Sequence, residues 1–161
     1  MSFLWVRKKV HWSDTDAAGI VWFPNYFGWF EDAEEELFAV VLGRSRQSLL
    51  DDLALAMPRV EASAKYRAPV RAGQLIRIGL RSRLENPRRM RHEFEMREAA
   101  SDRVIADGFV RVASVDRATF TPRDLPAEVL ELVARLPGAI AQQRHEQGSV
   151  DRTDLDSLPW T

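Results

Sequence analysis

The chain predicts an α+β fold, an antiparallel sheet of about five strands packed on one long helix. Three observations carry that prediction. Apolar residues recur at helical spacing over Tyr26, Phe30, Ala33, Leu37 and Val41, which gives one buried face. Later stretches alternate apolar and polar residues, as half-buried strands do. The turns between those stretches are short, so successive strands pair as neighbours instead of through long crossovers. With 161 residues, 45% of them hydrophobic, the chain is long enough for one core and short for two.

Taken in order, a first strand is expected over residues 3–12. The helix follows over about residues 24–42. Pro24 suits its first turn because the missing N–H would have no acceptor there, and Gly43 suits a left-handed stop. Glu31, Asp32, Glu34, Glu35 and Glu36 are assigned mainly to its wet face. A second strand covers about 60–68, and Pro69 to Gln74 reads as a turn. In 75–83, Ile76, Ile78 and Leu80 alternate with Arg77, Gly79 and Arg81. In 91–97, His92, Phe94 and Met96 share one face, and Arg91, Glu93, Glu95 and Arg97 the other. A last apolar stretch, 104–115, contains Gly108, which marks a bulge or a close backbone approach. Val129, Leu132, Val133 and Leu136 place a short helix over 126–136. The domain is therefore assigned to 1–137. Residues 138–161 are expected to form a polar, loosely ordered tail in which Trp160 is the one large group able to dock.

Composition narrows the function. A formal net charge of -1 gives no global reason to expect nucleic acid or an anionic membrane as partner. The absence of cysteine excludes disulfides, thiolate metal ligands and a cysteine nucleophile. No apolar run approaches the roughly 20 residues that span a bilayer, and the first dozen residues lack the core of a signal peptide, so a cytoplasmic location is expected. His11, His92 and His145 are isolated, without ligand spacing, and no metal site is expected. His92, on an apolar strand face, reads as a satisfied core histidine. No G-x-S-x-G elbow, G-x-G-x-x-G or P-loop occurs.

Chemistry concentrates in the run from Trp12 to Tyr26, where Asp14, Asp16 and Gly19 stand just ahead of the long helix. The first amides of a helix lack acceptors and its N-terminus carries about half a positive charge. A carbonyl oxygen developing negative charge is stabilised there. Carboxylates at this position also serve as caps, so the pair alone leaves both readings open. A second chemical feature is the run Asn86 to Arg91, in which Arg88 and Arg89 follow a proline turn. Guanidinium groups bind phosphate oxygens bidentately, although a solvated turn has the same composition.

Asp14, Asp16, Gly19, Ile20, Val21, Trp22, Asn25 and Tyr26 together resemble the active-site signature of the hotdog-fold acyl-CoA thioesterases of the 4-hydroxybenzoyl-CoA thioesterase family. The resemblance covers about residues 3–137. It implies a hotdog fold, a sheet wrapped around the long helix, in subunits that pair as a homodimer or homotetramer. It also implies an acyl-CoA substrate and no cofactor beyond the coenzyme A that the substrate carries. Asp16 corresponds to the catalytic carboxylate, acting as nucleophile on the thioester carbonyl or as general base toward water. The Phe23 backbone amide matches the group that polarises that carbonyl. Gly19 lets the loop approach without a side chain in the way. Asp14 suits holding the loop. Arg88 and Arg89 match paired basic residues that contact the nucleotide, and Arg71 and Arg123 are weaker options. Glu31 matches an acidic position that hydrogen-bonds a ring hydroxyl, and a solvated Glu31 is equally compatible. Pro24 stands where many short-chain relatives have histidine, which favours an aryl acyl group. A short-chain aliphatic thioesterase and a non-catalytic acyl-CoA-binding module are the alternatives.

Overall fold

The computed structural model describes residues 2–149. The elements in chain order are β1 (Leu4–Lys9), α1 (Asn25–Leu42), α2 (Arg46–Asp52), β2 (Leu55–Ala56), β3 (Arg59–Tyr66), β4 (Leu75–Asn86), β5 (Arg89–Glu98), β6 (Val104–Ala113), β7 (Val115–Asp116) and α3 (Ala127–Ser149). Five strands form one sheet in the order β1-β4-β5-β6-β3, every pairing antiparallel, and β2 and β7 make a separate two-stranded ribbon. The five-stranded antiparallel sheet against the long helix α1 is as expected, and α3, with 23 residues, is a second long helix. Pro24 caps α1, and Gly43 ends it at φ 69°.

The core lies between α1 and the sheet. Tyr26, Trp29, Phe30, Ala33, Leu37, Phe38 and Val41 bury one face of the helix. Phe30 stacks on Phe94 of β5 with ring centroids 4.2 Å apart. Between β3 and β6 the backbones approach so closely at Gly108 that a Cβ there would sit 2.2 Å from the Ser63 carbonyl oxygen. That is the close approach anticipated for Gly108.

Several boundaries differ from the sequence reading. α2 and the β2–β7 ribbon are additional, too short for any periodicity to announce. The strand expected to end at Arg83 runs on to Asn86, because Leu84 and Asn86 still pair with Met90 and Arg89 across the hairpin. The largest difference is α3, which continues through Pro137 to Ser149. Residues 138–149 of the expected tail are thus helical, and the rest of that tail, with Trp160, lies outside the described residues. A proline inside a helix removes one hydrogen bond. Tertiary contacts outweigh the loss: Val129, Leu132, Leu136 and Ile140 form a buried stripe. One turn further, the Gln143 carboxamide donates to the Trp5 carbonyl (2.7 Å) and accepts from its N–H (2.8 Å). That two-point contact takes the place of a neighbouring strand on the outer edge of β1. The opposite edge, β3, is largely exposed along its length. Among the described residues no helix is long and apolar enough to cross a membrane.

Candidate active site

The loop ahead of α1 is held by its own backbone. Thr15 and Val21 form an isolated bridge, and the Val21 N–H donates to the Val70 carbonyl at 2.8 Å. Asp16 N–H bonds Ile20 O, and Gly19 N–H bonds Asp16 O, both at 2.9 Å. Gly19 closes this turn at φ 71°, a left-handed conformation that strains other residues. Asp14 is engaged in the loop itself. Its Oδ2 accepts from the His11 N–H at 2.8 Å, and its carbonyl accepts from the Asn25 side chain at 2.9 Å.

Asp16 is exposed, and its Oδ1 accepts from the Ala18 N–H at 2.8 Å. Among the described residues nothing hydrogen-bonds its other oxygen. Likewise no acceptor among them takes the Phe23 N–H, although Trp22, Asn25, Tyr26 and Phe27 all donate to nearby carbonyls. A carboxylate oxygen and an amide, both unengaged among the described residues, therefore stand at the positive end of α1. Tyr66, at the end of β3, donates to the Phe23 carbonyl at 3.2 Å and packs edge-on against both Phe23 and Tyr26. Arg71, a weak option in the sequence, reaches this loop, donating to the Gly19 carbonyl at 3.3 Å.

Down the same helix a cavity of about 220 Å³ opens between α1 and strands β3, β5 and β6. Phe27, Phe30, Glu31, Arg59, Phe94 and Val110 are among its walls. A cavity of about 150 Å³ already accepts a benzene ring. Glu31 lies eight residues past Phe23, about 12 Å along a helix axis. Phe27 is part of the cavity wall, whereas Tyr26 and Trp29 belong to the core.

Beneath the cavity sits a charged cluster that the sequence reading placed elsewhere. Glu34, assigned to the wet face, is 2% exposed. Its Oε2 accepts from Arg59 at 2.8 Å, and its Oε1 pairs with Arg46 at 3.0 Å. His92 is fully buried. Its Nδ1 lies 2.7 Å from Ser82 Oγ, and its Nε2 lies 3.6 Å from Glu34 Oε1 with no hydrogen-bond partner. The core position of His92 is as expected, but one of its nitrogens goes unsatisfied. A signal for Glu34 was present: it falls four residues after Phe30 and three before Leu37, on the apolar stripe. Arg46 and Arg59 lie in segments without a motif and emerge only in three dimensions.

Burial pushes the Glu34 carboxyl up, but His92, Arg59 and Arg46 outweigh it and hold the group below the ordinary carboxylate range. Burial pushes the His92 imidazole down, Glu34 opposes that effect, and Arg59 and Arg46 add to it. The ring is neutral at pH 7. Because the folded pKa of His92 lies below the unfolded value of about 6.5, the unfolded chain binds more protons under that pH. The melting temperature should therefore be level near neutrality and fall as pH drops below about 6.5. Thermal melts of the native protein and His92→Asn between pH 8 and pH 5 check this, and an equal slope in the two proteins would contradict it.

Arg88 and Arg89 occupy the β4–β5 hairpin, where Arg88 pairs with Asp124 at 2.7 Å. The Asp16 loop is tied to Val70 and Arg71, before β4 begins. The 12 residues of β4 separate these ends of one protomer by about 36 Å. Within one chain, then, Asp16, Gly19 and Phe23 come together at the entrance of α1, Glu31 lies along the same helix, and the arginine pair stands at the far end of the sheet.

Residues 10–133 match the family model described as the thioesterase-like superfamily. The chain belongs to that superfamily. The expected hotdog fold and the expectation of a thioester hydrolase are met at the level of the family. The chain is 30% identical over 134 residues to a 1,4-dihydroxy-2-naphthoyl-CoA hydrolase of Nostoc punctiforme, covering 81% of this chain and 86% of the relative. It is 28% identical over 125 residues to a protein of the same name from Prochlorococcus marinus, covering 73% and 81%. Among solved structures, a gentisyl-coenzyme A thioesterase superposes with a TM-score of 0.68 at 28% identity, over 79% of this chain and 99% of that one. A 1,4-dihydroxy-2-naphthoyl-CoA thioesterase from Synechocystis shares the fold with a TM-score of 0.78 at 22% identity, over 85% and 98%.

Proposed function

We propose that this member of the thioesterase-like superfamily hydrolyses an aryl coenzyme A thioester to the free acid and coenzyme A, using Asp16 and the Phe23 amide. The observation that carries the reading is that an unengaged carboxylate oxygen and an unengaged N–H belong to the loop that opens α1, and that a cavity walled by Phe27, Phe30 and Phe94 begins one turn down that helix. The Phe23 N–H donates to the thioester oxygen and stabilises the negative charge that gathers there. Asp16 either takes a proton from the attacking water or attacks the carbonyl itself to give a mixed anhydride that water then opens. In both routes the C–S bond breaks, a C–O bond to water oxygen forms, and the sulfur leaves as the coenzyme A thiol. Gly19 keeps the approach to Asp16 open.

Aryl acyl groups fit for two reasons. The cavity walls are aromatic, and related proteins are named for 1,4-dihydroxy-2-naphthoyl and gentisyl thioesters. Glu31 accepts a hydrogen bond from a ring hydroxyl at the far end of the cavity. Arg88 and Arg89 bind the coenzyme A phosphates of a neighbouring site. This requires a second copy, because their own Asp16 is a strand's length away. Antiparallel pairing of two exposed β3 edges brings the hairpin end of one chain to the Tyr66 end of the other, which makes a homodimer the working unit.

The direct test is release of free coenzyme A from 4-hydroxybenzoyl-CoA and 1,4-dihydroxy-2-naphthoyl-CoA. A kcat/KM of about 10⁴ M⁻¹s⁻¹ or more supports the assignment, and no turnover of either overturns it. The double variant Arg88→Ala, Arg89→Ala should raise KM about 10-fold or more with kcat little changed, as loss of uniform binding does. An unchanged KM would remove the arginines from the site.

A further inference from the structure

We propose that Arg59 and Arg46 are positioning residues that fix Glu31 as a hydrogen-bond acceptor at the far end of the cavity, so that the site selects acyl groups bearing a neutral hydroxyl there. The inference rests on the thioesterase reading and on the Glu31–hydroxyl contact proposed above, and what it adds is the role of the two arginines. Glu31 Oε1 accepts from Arg46 Nη2 at 2.7 Å and from Arg59 Nη2 at 3.0 Å. Among the described residues nothing donates to Glu31 Oε2. One oxygen is clamped and the other is available.

Neither arginine is free to swing away. Arg59 also donates to Glu34 Oε2 (2.8 Å) and to the Met57 carbonyl (3.3 Å). Arg46 pairs with Glu34 (3.0 Å) and with Glu35 (2.6 Å). Glu34 is buried on α1, so it anchors both guanidinium groups, and they in turn orient the half-exposed Glu31. The clamp joins α1, α2 and the first residue of β3 beside the cavity.

Charge decides which substituent suits this site. Glu31, Glu34, Arg46 and Arg59 sum to zero, and Glu35 adds a negative charge, so a second carboxylate on the acyl group meets no net attraction. An aliphatic end offers no donor and gains nothing from Glu31 Oε2. A hydroxyl supplies the missing donor at no electrostatic cost. The span of about 12 Å along the helix from Phe23 to Glu31 suits an aryl ring with a hydrogen bond at each end.

The test reads selectivity, because a residue that only braces the fold would lower all substrates together. The quantity is the ratio of kcat/KM for 4-hydroxybenzoyl-CoA to that for benzoyl-CoA. For the native protein a ratio of about 10 to 100 is expected from one charge-assisted hydrogen bond at a partly exposed site. Glu31→Gln and Arg59→Gln should each lower it about 10-fold, and Arg59→Lys should restore part of the loss. In the Glu31→Gln background, Arg59→Gln should change the ratio no further, since it acts through Glu31. Glu31 is half exposed, so Glu31→Gln keeps the test open even if Arg59→Gln fails to fold. A native ratio near one, a ratio unmoved by Glu31→Gln or Arg59→Gln, or a further drop in the double variant would each overturn the inference while leaving thioesterase activity standing. No turnover of either thioester would overturn the thioesterase reading as well.

Discussion

Asp16→Asn is expected to lower kcat for a hydroxyaryl coenzyme A thioester by about 10² to 10⁴-fold, the contribution of a positioned acid–base group. The change keeps the side chain's shape, and the amide oxygen can still accept from the Ala18 N–H that Oδ1 engages at 2.8 Å. The loop should therefore hold, since its backbone bonds and the side-chain bonds of Asp14, Asn25 and Arg71 do not use the Asp16 carboxylate. What is lost is the negative charge needed to attack the carbonyl or to take a proton from water. Because Asp16 is exposed and bears no ion pair among the described residues, stability should shift by no more than about 0.5 kcal/mol. Substrate affinity, measured by titration calorimetry on the inactive variant, should stay close to the native KM. Turnover by Asp16→Asn within 10-fold of the native protein would remove Asp16 from the chemistry.

Glu34→Ala is expected to cost about 3–5 kcal/mol of folding stability, the range for removing one partner of a buried ion pair. The carboxylate is 2% exposed and is shared by Arg59 (2.8 Å) and Arg46 (3.0 Å). Its loss leaves two guanidinium groups partly buried beside a void. Arg46 retains Glu31 and Glu35, and Arg59 retains Glu31, but these carboxylates are about half exposed and compensate the guanidinium groups only in part. For a chain of this size each kcal/mol lowers the melting temperature by about 2–4 °C. Urea denaturation with an unchanged m-value would assign the effect to the native state. A loss below about 1 kcal/mol would show that the cluster is solvated and weak. Glu34→Gln should cost less, because it keeps the volume and one acceptor.

How much was legible in the sequence follows from how local each feature is. α1 was readable to within a residue because Pro24, the apolar stripe and Gly43 are all local signals. The alternating strands were readable for the same reason, with β4 extended by hairpin pairing that only the partner strand decides. α3 was misread at Pro137. A proline usually ends a helix, but here the buried stripe through Ile140 and the Gln143 contact with Trp5 carry the helix past it. Asp16, Gly19 and Phe23 are close enough in sequence for a motif to single them out as candidates. The Glu34–Arg46–Arg59–His92 cluster joins three helical or strand segments and a fourth from β5, and no spacing rule connects them. Glu34 was the one readable member, an acid on an apolar stripe that was assigned to solvent with its neighbours. The distance between Asp16 and Arg88 was likewise invisible until β4 supplied a length.

The central claim, hydrolysis of an aryl thioester in the cavity below the Asp16 loop, is tested most directly by one steady-state comparison. Release of free coenzyme A would be followed for 4-hydroxybenzoyl-CoA, 1,4-dihydroxy-2-naphthoyl-CoA and a series of straight-chain acyl-CoAs under identical conditions. A kcat/KM at least about 10-fold higher for a hydroxyaryl thioester than for every straight-chain one is the predicted result. Equal or faster hydrolysis of the straight-chain series would contradict the aryl assignment, and no coenzyme A release from any of them would contradict catalysis itself.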